Sequence, residues 1–449
     1  MEKFAGQEQT PGLKSRHVAA VTIGNALEFY DFVVYAFFSI QIGHAFFPAQ
    51  SAYGSLMLSL ATFGAGFITR PIGAYVIGNY SDRVGRRPAM MLCFVLIGFA
   101  IVGLALTPTY AQIGIAAPIL AIIARMVQGF SLGGEVGANT AFLLEAAPLH
   151  KRGLIVAWQS ASQNLALIAG SLVGVLLTAV LPPAALETYG WRIAFLTGAI
   201  AVPFGFWMRA NLPETLHPPE TDAALIKAEM GSASVAKQSR PRQALTHWRV
   251  IALGLVMLGA STTANYIFIY IVTYAQATLH LSARSGFIAS TSGYCLGTAA
   301  TLLGGWLSDI LGRRRVNVWS NLAFLVMIYP VFAWITGARS EFALIAGITV
   351  LAGSFSFSVG TLYAGLAESL PKSIRGSGFG LVYAVAISVF GGVTQLVTTW
   401  LIHVTGSYMA PAWYMISATA LGQIARMLMA ESAPVRLARA TQPAVPLPR

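Results

Sequence analysis

Long apolar runs separated by short polar turns repeat along most of this chain. They predict helices over 18–46, 52–80, 88–109, 112–143, 153–181, 190–209, 249–277, 283–310, 316–336, 341–370, 376–404 and 410–430. Each run is long enough for a hydrocarbon core near 30 Å, several with allowance for tilt. The expected fold is therefore an all-α polytopic membrane protein with twelve transmembrane helices. Composition agrees: 56% of the 449 residues are hydrophobic and 10% are charged, far from the balance of a soluble domain. A soluble binding module is excluded. The polar first 17 residues lack a short apolar region with a small-residue cleavage site, so the first span is expected to stay in the mature protein. Cys93 and Cys295 fall inside predicted spans and read as buried apolar residues, not as a disulfide or metal site.

A net charge of +12 raises nucleic acid as a partner, and its placement argues against it. With both termini in the cytoplasm, 23 of the 28 Lys and Arg residues fall in the tails, in the even-numbered loops or at the span ends that border them. Arg192, Arg284 and Arg339 lie on the other side, and Arg70 and Arg125 lie inside spans. The positive-inside rule then sets the orientation. The expected organisation is a cytoplasmic tail 1–17, a six-helix bundle 18–209, a cytoplasmic loop 210–248, a second bundle 249–430 and a cytoplasmic tail 431–449.

The two sets of six spans match each other. After span two the sequence reads GNYSDRVGRR (Gly78, Asp82, Gly85, Arg86, Arg87), and after span eight GWLSDILGRR (Gly305, Asp309, Gly312, Arg313, Arg314). EAAPLHKRG after span four (Glu145, Pro148, Arg152, Gly153) answers to ESLPKSIRG after span ten (Glu368, Pro371, Arg375, Gly376). Arg209 stands five residues before Glu214, as Arg426 does before Glu431. Offsets of 227, 223 and 217 residues imply one duplicated six-span unit. Parallel repeats of this kind characterise one transporter architecture.

The doubled G-x-x-x-D-x-x-G-R-R loop, with RMVQG on span four, resembles the major facilitator superfamily over essentially the whole chain. Within it, NALEFYDF, GFITRPIGA, RMVQGFSLGGEVG, WQSASQN and WRVIALGLVMLGASTTANYIF resemble the metabolite–proton symporters. The likeness is greatest to the citrate–proton and tricarballylate–proton symporters, which carry Gln-Phe where this chain has Phe29-Tyr30. The resemblance implies two six-helix bundles and import of a di- or tricarboxylate with protons by alternating access, in a bacterial inner membrane. Carriers of 2-oxoglutarate, shikimate or a proline/betaine-type zwitterion are the alternatives within it.

Candidate residues fall into three groups. Asp82, Arg83, Arg86 and Arg87, their counterparts Asp309, Arg313 and Arg314, and Glu145, Arg152, Glu368 and Arg375 sit at helix ends. There, carboxylates and guanidiniums can latch helices across a closing gate and act on helix dipoles.

Proton coupling points to Glu28 and Asp31, with Glu135 as a third candidate. An acid at mid-membrane depth costs roughly 2.5–3.5 kcal/mol on insertion scales. Two acids three residues apart in a low dielectric also oppose each other's charge, which suits a proton carrier. Asn25, Glu28, Asp31 and Tyr35 share one helical stripe, expected to face the pathway.

Substrate binding points first to Arg125. With Gln128, Glu135 and Asn139 it forms one polar face of span four, interleaved with the small residues Gly129, Gly133 and Gly137 that permit close helix approach. Arg125 can fork onto a substrate carboxylate or serve as structural partner to Asp31 or Glu135. Arg70 lies about 18 Å from the Asp82 level at 1.5 Å per residue, just before Pro71, where a bend is expected. No charge is expected deep in the second half. That half offers Asn265, Tyr266 and Tyr270, then Ser354, Ser356, Ser358, Tyr383 and Gln395, and span five offers Gln159 and Gln163. Such hydroxyls and amides either hold carboxylate oxygens or tie helices together.

Enzyme chemistry is not expected. GFSLG at 129–133 matches G-x-S-x-G, but a nucleophile elbow needs a strand–turn–helix and a His partner. No G-x-x-x-x-G-K-[ST] is present, so ATP does not drive transport through this chain. An anion channel needs a ring of repeated polar groups, whereas the deep charges are confined to one half. Expected partners are a small organic anion, protons and the lipid bilayer, with no nucleic acid, cofactor or metal, in a monomer.

Overall fold

The computed structural model describes residues 15–434 apart from 85, 134–135, 137–138, 141–142, 145–146, 211–246 and 372–374. Within these the chain is helical apart from the short connections between spans. Span one is Ser15–Phe37 with Ser39–Phe46, span two Ala52–Ile68 with Arg70–Val84, span three Arg86–Leu106, and span four runs through Ala116–Leu132. Spans five to ten are Arg152–Val180, Trp191–Ala210, Trp248–Ala277, Ala283–Leu311, Arg313–Ala338 and Glu341–Glu368. Span eleven passes from Arg375–Ala386 through a π turn at Ile387–Gly391 into Gly392–Thr405, and span twelve is Ala410–Leu428.

Local chemistry places the ends. Ser51, Ser282 and Ser340 accept the backbone N–H of Gly54, Ser285 and Ala343 at three helix starts, satisfying donors that have no intrahelical acceptor. Span two is interrupted at Thr69, directly before Arg70-Pro71, where the ring nitrogen has no N–H to give the preceding turn. Span one bends by 66° between Phe37 and Ser39. Hydropathy is unbroken across that bend, so the apolar pattern reads it as one straight run.

Side chains sort by surroundings. Phe99, Val180, Ile200 and Phe342 stand exposed on the outside, as a hydrocarbon-facing surface allows. Span seven is the interior member, with 83% of its apolar window buried. It packs along span twelve, and span eight packs along spans ten and five. The two halves therefore meet through spans five and eight, two and eleven, and one and seven.

Two expectations need correction. Cys93 is buried, but Cys295 is exposed on span eight, because position within a span does not set which face a residue occupies. The second half also does carry a deeply buried charge: Arg426, near the end of span twelve, is 2% exposed. Near a helix end its side chain would be expected to snorkel to water. Instead Asn317 and Ser261, from two other spans, hold it inside.

Candidate transport site and gates

Spans two and four cross so closely that side chains are excluded at the crossing. A Cβ on Gly129 would lie 1.6 Å from the Gly66 carbonyl oxygen, and one on Gly73 1.8 Å from that of Phe130. This approach sets two arginines against one aromatic cluster. The Arg70 and Arg125 guanidinium carbons lie 4.5 and 4.4 Å from the Phe32 ring centroid. Arg70 also lies 4.5 Å from Phe67, and Arg125 4.6 Å from Tyr35 and 5.1 Å from Phe63. Both arginines are buried. Ring faces attract the two cations by about 2 kcal/mol per desolvated contact, without neutralising them.

One acid reaches this centre through an amide. Arg125 Nη1 donates to Gln128 Oε1, and Gln128 Nε2 donates to Asp31 Oδ2 at 2.6 Å. Asp31 is 3% exposed, and its Oδ1 has no hydrogen-bond partner among the described residues. Nor do Nε and Nη2 of either arginine. The centre holds more donors than its own acid satisfies, and a carboxylate could supply the missing acceptors.

The span-one stripe divides among different neighbours. Asn25 Nδ2 donates to Ser162 Oγ at 2.7 Å and its Oδ1 accepts from Gln159 Nε2 at 3.1 Å, which ties span one to span five. Tyr35 donates to the Ser59 carbonyl at 3.2 Å. Asp31 faces span four, and Phe29 faces the cavity between the halves. The Glu28 side chain and residue Glu135 lie outside the described residues.

The space between atoms in and around that cavity, open solvent at its mouth included, is about 600 Å³. Phe29, Gln163, Asn265, Tyr266 and Tyr383 line it, while Gln159 and Tyr270 do not. Gln163 Nε2 donates to the Tyr383 hydroxyl at 3.2 Å across the two halves. Tyr270 instead takes a hydrogen bond from Thr399 at 3.0 Å. Tyr266 packs on Phe67 with ring centroids 5.5 Å apart, and Arg70 lies over Phe67, so Tyr266 links the arginine centre to the cavity that it lines. Ser160, Asn164, Ser261, Thr262, Thr301 and Tyr363 also line it and were missed in the sequence. On span seven the signal was present: Leu258, Ser261, Thr262, Asn265 and Tyr266 recur at helical spacing.

The halves touch at both ends of this cavity. At the end carrying the doubled basic loop, hereafter the basic end, Asp309 accepts the N–H groups of Gly153 at 2.8 Å and Leu154 at 3.0 Å. These are the first free donors of span five, so the carboxylate caps a helix of the opposite half. Arg313 bonds Asp309 at 2.7 Å and forks onto Glu368 at 3.0 and 3.1 Å. Arg314 donates its N–H to Glu431, which also caps Arg313 at the start of span nine. Arg375 Nε donates to the Ala367 carbonyl at 2.9 Å, and Arg152, partly buried, opens span five. The side chains of Asp82, Arg83, Arg86 and Arg87, and residue Glu145, lie outside the described residues. At the far end Ser39 bonds Thr273 at 2.9 Å and Tyr53 stacks on His403 with ring centroids 3.9 Å apart.

A duplicated helical fold around a polar cavity, latched at its ends, is an architecture with known relatives. The sequence matches the Sugar (and other) transporter family over residues 17–441. The chain belongs to that family, within the major facilitator superfamily. It is 36% identical over 421 residues to a citrate-proton symporter of Salmonella typhi, covering 92% of this chain and 93% of that one. It is 30% identical over 431 residues to a proline/betaine transporter of Salmonella typhimurium, covering 94% and 84%. Among solved structures, the proton:xylose symporter XylE bound to 6-bromo-6-deoxy-D-glucose superposes with a TM-score of 0.75 at 16% identity, covering 93% of this chain and 97% of that one. The last likeness concerns the fold alone. These relatives are transporters, and so is this membrane protein.

Proposed function

We propose that this transporter imports a di- or tricarboxylate of the citrate type together with protons, by alternating access of its two halves. The observation that carries the reading is the buried Asp31–Gln128–Arg125 chain beside Arg70, set next to a polar cavity between the halves. The likeness to citrate-proton symporters over nearly the whole chain supports it. The basic end is read as cytoplasmic, both termini with it, in a bacterial inner membrane and as a monomer.

The coupling follows from charge. With Asp31 ionised and joined to Arg125 through Gln128, one of the two positive charges is offset and the site is held to a single net positive charge. A proton on Asp31 removes its negative charge, and the two guanidiniums then attract a carboxylate. Loss of the proton on the cytoplasmic side restores the internal pairing and weakens the hold on the anion. Protons are needed energetically as well: each net negative charge entering a negative-inside cell costs about 2.3 kcal/mol per 100 mV. Glu28 and Glu135 remain further candidates for the proton.

A second reading is favoured by one feature, the aromatic wall of Phe29, Tyr266, Tyr363 and Tyr383, since ring faces also attract quaternary ammonium groups. Competition against labelled citrate uptake in cells or proteoliposomes separates the two. Inhibition by tricarballylate and 2-oxoglutarate, and none by proline or betaine, is expected. Uptake and competition confined to proline and betaine would replace the anion reading with the zwitterion one.

A further inference from the structure

Arg426 is a buried cation with no acid beside it among the described residues. Its Nε donates to Asn317 Oδ1 at 2.6 Å, its Nη2 to Ser261 Oγ at 2.8 Å, and its Nη1 has no hydrogen-bond partner among the described residues. No described carboxylate pairs with it; the nearby Arg313 of span nine is the one that engages Asp309 and Glu368. Two neutral oxygens leave the guanidinium with nearly its whole charge, and holding such a group out of water costs several kcal/mol. That cost is eased whenever an anion comes close.

Ser261 gives the charge a route to the central cavity. Its side chain lines that cavity, about one turn before Asn265 and Tyr266 on the same helix. Its oxygen is engaged by Arg426, and no described group accepts its hydroxyl proton. A hydroxyl that accepts from a cation becomes a stronger donor. The cavity thus has a cationic flank in each half: Arg70 behind Phe67 and Tyr266, and Arg426 behind Ser261.

We infer that Ser261, polarised by Arg426, is a second carboxylate-binding point, so that a substrate with two or more carboxylates is held between the two halves. Ser261 touches the substrate, and Arg426 is its positioning residue. The inference rests on the polycarboxylate reading above. It predicts that a monocarboxylate, which engages one flank only, is held more weakly than a polycarboxylate.

The test uses purified full-length protein in liposomes loaded with citrate, measuring counterflow of labelled citrate for the wild type, Ser261→Ala, Arg426→Lys, Arg426→Gln and the double variant Ser261→Ala/Arg426→Gln. Ser261→Ala and Arg426→Gln are each expected to raise half-saturating citrate about tenfold, as loss of a hydrogen bond to a charged group implies. Maximal exchange is kept, Arg426→Lys is milder than Arg426→Gln, and the double variant is no worse than Arg426→Gln alone. Selectivity for citrate over a monocarboxylate such as acetate falls in the same variants. Wild-type half-saturation in Ser261→Ala overturns the inference. So does an Arg426→Gln protein that folds in lower yield but binds citrate normally, which makes Arg426 a structural pin between spans seven, nine and twelve. A wild type that exchanges no polycarboxylate overturns the proposed function itself, whereas normal wild-type exchange with unchanged variants overturns this inference alone.

Discussion

Replacing Arg125 by Lys keeps the positive charge and removes the planar fork. In the native site the guanidinium spends one nitrogen on Gln128 and sits 4.4, 4.6 and 5.1 Å from the ring centroids of Phe32, Tyr35 and Phe63, with Nε and Nη2 left over for a ligand. A lysine ammonium has the charge for the rings but cannot serve Gln128 and a bidentate carboxylate from one plane. Loss of one hydrogen bond to a charged partner is worth about 1.5–3 kcal/mol. That corresponds to a rise in half-saturating substrate of roughly 10- to 150-fold. Counterflow of labelled citrate in proteoliposomes reads this directly, with gel filtration in detergent to show that the variant is folded. A folded Arg125→Lys protein with wild-type affinity would refute the reasoning and leave Arg125 as a partner for Asp31 alone.

Asp31→Asn should lose accumulation driven by a pH gradient while keeping exchange at equal concentrations on both sides, because exchange moves no net proton. Glu28→Gln, run beside it, tells which first-span acid couples, and full accumulation in both would move the proton to Glu135. Asp309→Asn removes one of the two carboxylates that Arg313 engages, leaving Glu368, and weakens the cap on span five. The basic end should then open more often, so a cysteine introduced at Ala157, which packs against Gly305, should react with a membrane-permeant thiol reagent faster than the same cysteine in protein with Asp309 intact; equal rates would deny the latch. Gly305→Ala should act the same way by steric means, since its Cβ would lie 2.6 Å from Ala157 Cβ and 2.7 Å from the Gly153 carbonyl oxygen.

Twelve spans and their duplication were legible because hydropathy and the repeated loops are local signals. The relation of Gln128 to Arg125 was legible too, three residues apart on one helical face. What Gln128 does was not, because its other partner, Asp31, comes from span one and meets it only once Gly129 and Gly73 let spans two and four close. Of the span-one stripe, Asn25, Asp31 and Tyr35 make buried polar contacts, yet among the described residues it is Phe29 of span one that lines the cavity, since the helix turns Asn25 to span five and Asp31 to span four. Arg426 was hidden for a related reason. A basic residue two positions from a helix end looks solvated until Asn317 and Ser261 are seen to enclose it.

The central claim is that anion entry carries protons with it. Its most direct measurement is the external pH of a weakly buffered suspension of proteoliposomes when citrate is added with no other ion gradient. The account predicts alkalinisation that depends on citrate, saturates with it, and is abolished in Asp31→Asn while that variant still exchanges labelled citrate. Citrate uptake with no change in external pH would contradict it.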